Sequence, residues 1–224
     1  MADVNSPRRR YVSPLRERSA RQTRQAVLDA ARELFTGQGY VSATIEQIAE
    51  RAGVSKPTVF AAAGNKGTIL KQLHDFALAG DDQPLPVAGR PWYQQALREP
   101  DPRRSLNLHA RNVARMQERY ADLDEVLQTA AAADGELAEL WQASEEQRRT
   151  GAGYIIDALL SKGTLKPGLD RDSAIDLLWV FTASGIFRRL VRRRGWTSQR
   201  YEQWLADTFC DQLLPPARHR SPYR

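Results

Sequence analysis

The chain is poor in the residues that brace a fold covalently or carry out chemistry. A single cysteine, Cys210, among 224 residues excludes an intramolecular disulfide and suits a reducing cytoplasm. The three histidines, His74, His109 and His219, do not fall at metal-ligand spacing with one another, with the cysteine or with paired carboxylates, so no structural or catalytic metal is expected. No apolar run approaches the ~18 residues of a membrane span. The polar, arginine-rich first ten residues lack the apolar segment of a secretory signal. Gly64-Asn65-Lys66-Gly67-Thr68 departs from phosphate-loop spacing and follows a helical pattern instead of a strand. Neither a nucleophile elbow nor a dinucleotide glycine fingerprint is present. With no constellation of acid, base and nucleophile, the expectation is a protein that is not an enzyme, has no cofactor and does not enter a membrane.

What is present is enough apolar residue, 42% of a 25.3 kDa chain, for one large core or two modest ones. The net charge of +6 is unevenly placed. Residues 1–24 carry Arg8, Arg9, Arg10, Arg16, Arg18, Arg21 and Arg24 against Asp3 and Glu17, a sum of +5. Arg218, Arg220 and Arg224 add +3 in the last ten residues, which leaves the body at −2. A basic arm ahead of a near-neutral body fits a phosphate-binding tail. It also fits a solvated, disordered leader, and the two are compatible because such arms order on nucleic acid.

The apolar periodicity is helical throughout, with no alternating strand pattern. It predicts an all-α fold of about nine helices. Gln22 to Phe35 carries the stripe Val27, Ala30, Ala31, Leu34 and Phe35 and is ended by Gly37 and Gly39. Another helix begins near Lys66. The stretch 80–91, rich in proline and glycine, reads as a domain boundary. Helices are expected over 92–98, 102–119, 122–133 and 136–160, then from Asp170 or Asp172 to Arg194, and over 198–214. The expected organisation is a basic disordered arm over 1–20, a first helical domain over 21–80, a second over 84–214 and a basic tail over 215–224.

The most telling segment lies between Thr44 and Lys66. Thr44 and Gln47 form a capping box, and Ile45, Ile48, Ala49 and Ala52 fall on one buried face. Gly53 sits where the chain must turn sharply. Ser55 is a good N-cap, and Pro57 is tolerated in a first turn. Two short helices joined by Ala52-Gly53-Val54 are a helix-turn-helix over 44–63, whose second helix enters the DNA major groove.

These residues, from A-V-L-D-A-A-R-E-L-F through T-I-E-Q-I-A-E-R-A-G-V-S-K-P-T-V-F to Lys66, resemble the TetR family of bacterial transcriptional regulators. The resemblance implies an N-terminal three-helix DNA-binding domain and a C-terminal helical domain that binds an effector and forms a homodimer. It further implies a repressor that leaves a double-stranded operator when a small molecule binds. By the same resemblance, Thr44, Ser55, Lys56, Pro57, Thr58, Phe60, Ala61 and the phosphate-binding Lys66 are the expected DNA-facing residues. The family usually has tyrosine at Phe60, an aromatic or histidine at Ala62 and phenylalanine at Ala63, so two phosphate contacts are absent here. The arginine arm is expected to compensate, each phosphate contact adding about −0.9 to the salt slope. Two-fold symmetry predicts a pseudo-palindromic operator. An effector-independent binder or an activator would use the same motif.

The helix expected over 173–194 has no polar face through its middle, which requires burial on several sides. With the last helix it predicts a homodimer interface through Phe187, Tyr201, Trp204, Leu205 and Phe209. His109, Val113, Met116, Trp141, Tyr154 and Trp179 are expected to line the effector pocket. Their aromatic bias points to an apolar or aromatic compound. The expected location is the bacterial cytoplasm, with association to the nucleoid when bound.

Overall fold

The computed structural model of the chain describes residues 14–80, 86–163 and 165–216. Expectations for Arg8, Arg9, Arg10 and the basic residues of the tail lie outside them. Ten α-helices follow one another and no strand occurs among the described residues: α1 (Pro14–Gln38), α2 (Ile45–Ala52), α3 (Lys56–Ala63), α4 (Lys66–Ala79), α5 (Pro91–Arg98), α6 (Pro102–Ala131), α7 (Gly135–Leu160), α8 (Arg171–Phe181), α9 (Ser184–Phe187) and α10 (Ser198–Leu213).

The chain divides into two compact units, Met1–Leu70 and Lys71–Arg224. The division falls inside α4, not in the stretch 80–91. Ile69 and Leu70 are fully buried at the end of the first unit. Farther along the helix, His74 and the Ala77 carbonyl bond to Tyr120 and Arg119 of the second.

In the first unit, Val27, Ala30, Ala31, Leu34 and Phe35 of α1 bury the predicted stripe together with Ile48, Ala49, Val59 and Ala63. The basic arm is corrected here. α1 begins at Pro14, so Arg16 and Arg18 are helical, not in a disordered leader. Residues 15–22 are exposed on every side of that helix.

The second unit has its core in α5, α6, α7, α8 and α10, with Leu106, Ile155, Ile156, Leu178, Tyr201, Leu205 and Phe209 among its members. Two expected helices over 102–133 are one, α6. Nothing between Pro102 and Gly135 breaks it, and buried positions from Leu106 to Ala130 run through without a shift of face. Conversely, the helix expected to run to Arg194 stops at Thr182. The Thr182 hydroxyl donates back to the Leu178 carbonyl at 2.9 Å, and Gln117 donates to the Thr182 carbonyl at 2.8 Å. Ala183 is extended, α9 restarts at Ser184, and a π-helical turn covers Arg188–Arg193. Thr182, Ser184 and Gly185 are weak helix formers, and the Thr182 hydroxyl competes for the backbone while that of Ser184 is drawn to Asp124.

Candidate nucleic-acid interface

The geometry of α2 and α3 follows from local side-chain chemistry. Thr44 Oγ1 accepts from Gln47 N–H at 3.2 Å while the Thr44 N–H donates to Gln47 Oε1 at 3.0 Å, the reciprocal box that satisfies two end amides. Gly53, at φ 67° and ψ 31°, ends α2, and the Val54 N–H returns to the Ala49 carbonyl at 2.9 Å. This is a left-handed helix ending that a residue with a Cβ adopts only with strain. Ser55 Oγ accepts from Thr58 N–H at 3.3 Å, and the two hydroxyls lie 2.8 Å apart.

With α3 started there, its positions sort cleanly. Val59 and Ala63 are buried against the rest of the unit. Lys56, Pro57, Phe60 and Ala61 lie on the opposite side and are exposed, Phe60 by 51%. Thr44 and Ser55 are exposed at the helix starts, and Thr58 is half-buried with its hydroxyl engaged by Ser55. An aromatic ring half in water gains nothing by itself; a partner surface that covers it would.

The charges around this surface are specific. The Lys56 ammonium pairs with Glu46 of α2, and that contact, chiefly the hydrogen bond from Lys56, holds the Glu46 carboxyl below its usual range. Arg51 of α2 meets Glu33 of α1 at 2.7 Å. Lys66 is placed differently from the expectation of a solvent-facing phosphate ligand. Its ammonium donates to the Tyr40 carbonyl at 2.8 Å and the Ala43 carbonyl at 2.9 Å, and sits 4.2 Å from the centre of the Tyr40 ring. Lys66 therefore ties down the loop between α1 and α2, because carbonyls with no helical partner attract a cation. Asn65 caps α4 through Thr68 N–H at 2.8 Å. Arg16, Arg18, Arg21 and Arg24 all stand exposed on α1.

In the second unit the residues expected to form the pocket are only partly brought together. His109 is buried, stacked on Phe209 at 5.7 Å and edge-on to Tyr93 at 6.3 Å, with Nδ1 lacking a partner. Burial alone lowers its pKa to about 4, so it is neutral at physiological pH. Val113 is buried one turn further along α6, while Met116 and Trp141 are half-buried. Trp179 lies under the Arg148 guanidinium and its Nε1 is unpartnered. Tyr154 is exposed, which does not suit a wall of a closed pocket. Two further residues join this set as buried polar groups without full partners: Gln117, with no role expected from the sequence, through Oε1, and Tyr201, expected at the dimer interface, through its hydroxyl.

The expected dimer residues require a correction. Phe187, Tyr201, Leu205 and Phe209 are fully buried in their own unit, where Phe187 and Tyr201 pack edge to face at 5.0 Å. α10 buries a single apolar face against its own unit and turns Gln199, Arg200, Gln203, Asp207 and Asp211 outward, so its apolar stripe is core and not partner surface. Trp204 alone of the five is half-exposed, and it meets Phe181 of α8 at 6.4 Å. Beside Phe181, Val180 is 49% exposed and Leu177 is half-buried.

A second polar cluster centres on buried His74, Tyr120 and Asp124. His74 Nε2 lies 3.0 Å from Tyr120 Oη, which donates to Asp124 Oδ1 at 2.8 Å; Ser184 also donates to Asp124. Burial opposes both charges, yet hydrogen bonding to Asp124 and Asp75 raises the His74 pKa, and hydrogen bonding to His74 lowers that of Asp124. Among the described residues no group of three or more histidine, cysteine or acidic side chains can hold a metal ion, and no helix is long and apolar enough to cross a membrane.

The arrangement has counterparts. The sequence pattern described as bacterial regulatory proteins, tetR family, matches residues 27–73. An uncharacterized HTH-type transcriptional regulator of Bacillus subtilis, YdeS, is 30% identical over 171 residues, covering 75% of this chain and 78% of the relative. In fold, the chain is similar to NalD, the secondary repressor of the MexAB-OprM multidrug efflux pump in Pseudomonas aeruginosa, with a TM-score of 0.65, 23% identity and coverage of 88% of this chain and 98% of that one. It is also similar in fold to the triclosan complex of SmeT, the repressor of the Stenotrophomonas maltophilia pump SmeDEF, with a TM-score of 0.63, 20% identity and coverage of 87% and 93%.

Proposed function

Since the chain belongs to the tetR family of bacterial regulatory proteins, and so to the DNA-binding transcriptional regulators, we propose that it represses its target as a homodimer and leaves a pseudo-palindromic operator when a small apolar or aromatic molecule binds the second unit. The observation that carries this reading is the outward face of α3. Lys56, Pro57, Phe60 and Ala61 are exposed on a helix whose other side is buried and whose start is capped rigidly by Ser55. A recognition helix presents its N-terminal residues to base edges in this way. Phosphate binding falls to the basic start of α1, where Arg16, Arg18, Arg21 and Arg24 stand exposed on a helix with no core face of its own before Ala26. Arg8, Arg9 and Arg10 continue that charge.

The effector site is read at the seam of α6 and α10. His109, Val113 and Gln117 repeat at helical spacing on α6, and Tyr201, Leu205 and Phe209 do so on α10; all six are buried. Three polar atoms there, His109 Nδ1, Gln117 Oε1 and the Tyr201 hydroxyl, lack partners. An unpaired buried polar atom costs about 1–3 kcal/mol, which a bound molecule with a few hydrogen-bonding groups on an apolar or aromatic frame would recover. NalD and SmeT are named as repressors of multidrug efflux pumps, and SmeT was solved with triclosan, which supports a ligand of this kind. The partner subunit is read on the apolar surface of Leu177, Val180, Phe181 and Trp204. We read the protein as cytoplasmic and without catalytic activity.

The test is a mobility shift of the full chain on DNA upstream of its own reading frame and on duplexes selected from a random pool. The proposal expects a retarded complex of two chains per palindromic site that a hydrophobic or aromatic effector releases. Binding without any sequence preference, or turnover of the effector, would overturn it. A complex that no compound disturbs would favour an effector-independent binder.

A further inference from the structure

Lys56 is the only ionisable residue of α3, K-P-T-V-F-A-A-A, and it is not alone on that surface. Its ammonium pairs with Glu46, the second residue of α2, and the two side chains are 51% and 58% exposed. The remaining polar groups at the start of α3, the hydroxyls of Ser55 and Thr58, are bonded to each other. The surface set against DNA thus carries a carboxylate touching its one cation. Facing phosphate, that carboxylate would be repelled and would cancel the only recognition-helix charge. Facing the floor of the major groove, it has a use.

Resting on the DNA-binding reading above, we infer that Glu46 is a specificity-determining residue, which together with Lys56 requires a C·G pair at one position in each half-site. The edge of this pair presents guanine N7 and O6 as adjacent acceptors and, immediately beside O6, the cytosine N4 amino donor. An ammonium over two acceptors with a carboxylate on the neighbouring donor is the complement of that edge, and Lys56 and Glu46 already hold such groups in contact. An A·T pair presents its N6 donor between two acceptors, N7 and O4, so a carboxylate drawn to N6 would meet repulsion on both sides. Exposed pairs of this type hold each other only weakly, so the two side chains can reorient toward the bases at little cost.

Binding sites are selected from a random duplex pool by the full chain and by its Glu46→Ala and Glu46→Gln variants, with thermal melts of all three in parallel. Both substitutions are at an exposed side chain, so the melts are expected to coincide. The wild-type protein is expected to enrich half-sites with one strongly required C·G pair, mirrored across the dyad. Glu46→Ala should lose the preference at that position alone, a discrimination of roughly tenfold or more falling to near unity. Glu46→Gln should move it toward A·T, because a carboxamide pairs with adenine N6 and N7. Half-sites that are identical for all three proteins, or that lack a required C·G pair, overturn the inference while leaving DNA recognition intact. If the wild-type chain enriches no sequence at all, the DNA-binding reading fails, and the inference falls with it.

Discussion

Lys66→Met separates two roles for one side chain. In the structure the ammonium donates to the carbonyls of Tyr40 and Ala43, at 2.8 and 2.9 Å, and lies over the Tyr40 ring. A hydrogen bond from a charged group contributes about 1.5–3 kcal/mol net, and a half-exposed cation–π contact about 0.5–1 kcal/mol. Methionine keeps most of the aliphatic stem but cannot donate. Both bonds are only part-buried, so water replaces some of what is lost, and the expected destabilisation is roughly 2–4 kcal/mol. That is a large share of the ~5–15 kcal/mol that holds a typical domain together. Hydrogen exchange reads it directly: amides of the loop from Gly39 to Ala43 and of the first turn of α2 should lose protection, with a lowered melting temperature. Operator affinity is then measured at a temperature where both proteins are folded, across a range of salt. A clamp inside the unit leaves the salt slope unchanged. If protection and melting are unaltered while the slope falls by about 0.9, Lys66 faces phosphate and its assignment as a loop clamp is wrong.

Other perturbations have equally definite outcomes. Gly53→Ala meets no atom within 4 Å but places a Cβ at φ 67°, so it should cost about 1–2 kcal/mol in urea unfolding through backbone strain alone; a neutral result would contradict the left-handed ending of α2. His109, with its pKa lowered from 6.5 to about 4, should contribute stability that is complete above pH 6.5 and lost as pH falls through 4, about 3 kcal/mol over that window. His109→Leu should remove this dependence, as seen in urea midpoints across the range. His74 works in the opposite sense: its raised pKa makes its contribution complete below pH 6.5 and lost as pH rises through the folded value, while Asp124, lowered from 3.8, supplies stability above pH 3.8 that is lost as pH falls further. An NMR titration placing the His74 transition below 6.5 would refute the buried pair. Replacing Arg16, Arg18, Arg21 and Arg24 by alanine should reduce the salt slope of operator binding by about 0.9 for each arginine that meets a phosphate; an unchanged slope would remove α1 from the interface.

What could be read in the sequence and what could not divides by distance along the chain. The Thr44–Gln47 box, the Gly53 turn and the Ser55 cap each involve residues three to five positions apart, so residue type and spacing suffice. Lys66 meets carbonyls more than twenty residues away, and Glu46 reaches Lys56 across a turn; neither pairing has a periodic signature. His74 was one of three unremarkable histidines until folding set it against Tyr120, 46 residues on. The break at Thr182 was hidden because apolar residues continue through it, and only the Gln117 bond and the hydroxyl of Thr182 show where the helix ends. α10 misled for a related reason. Tyr201, Leu205 and Phe209 form as good a stripe as any outward face would, and burial alone shows that it points inward while Trp204 does not.

The central claim is that the exposed side of α3 is the surface that meets DNA. Ala61 lies on that side, exposed, and glutamate at an exposed helix position costs only a few tenths of a kcal/mol relative to alanine, so Ala61→Glu should change the melt little. The decisive measurement is the affinity of this variant for a duplex that the wild-type chain binds, paired with a thermal melt. An unchanged melt with binding reduced a hundredfold or more, on the order of one misplaced charge in a groove, is what the account predicts. An equal melt with equal affinity would contradict it.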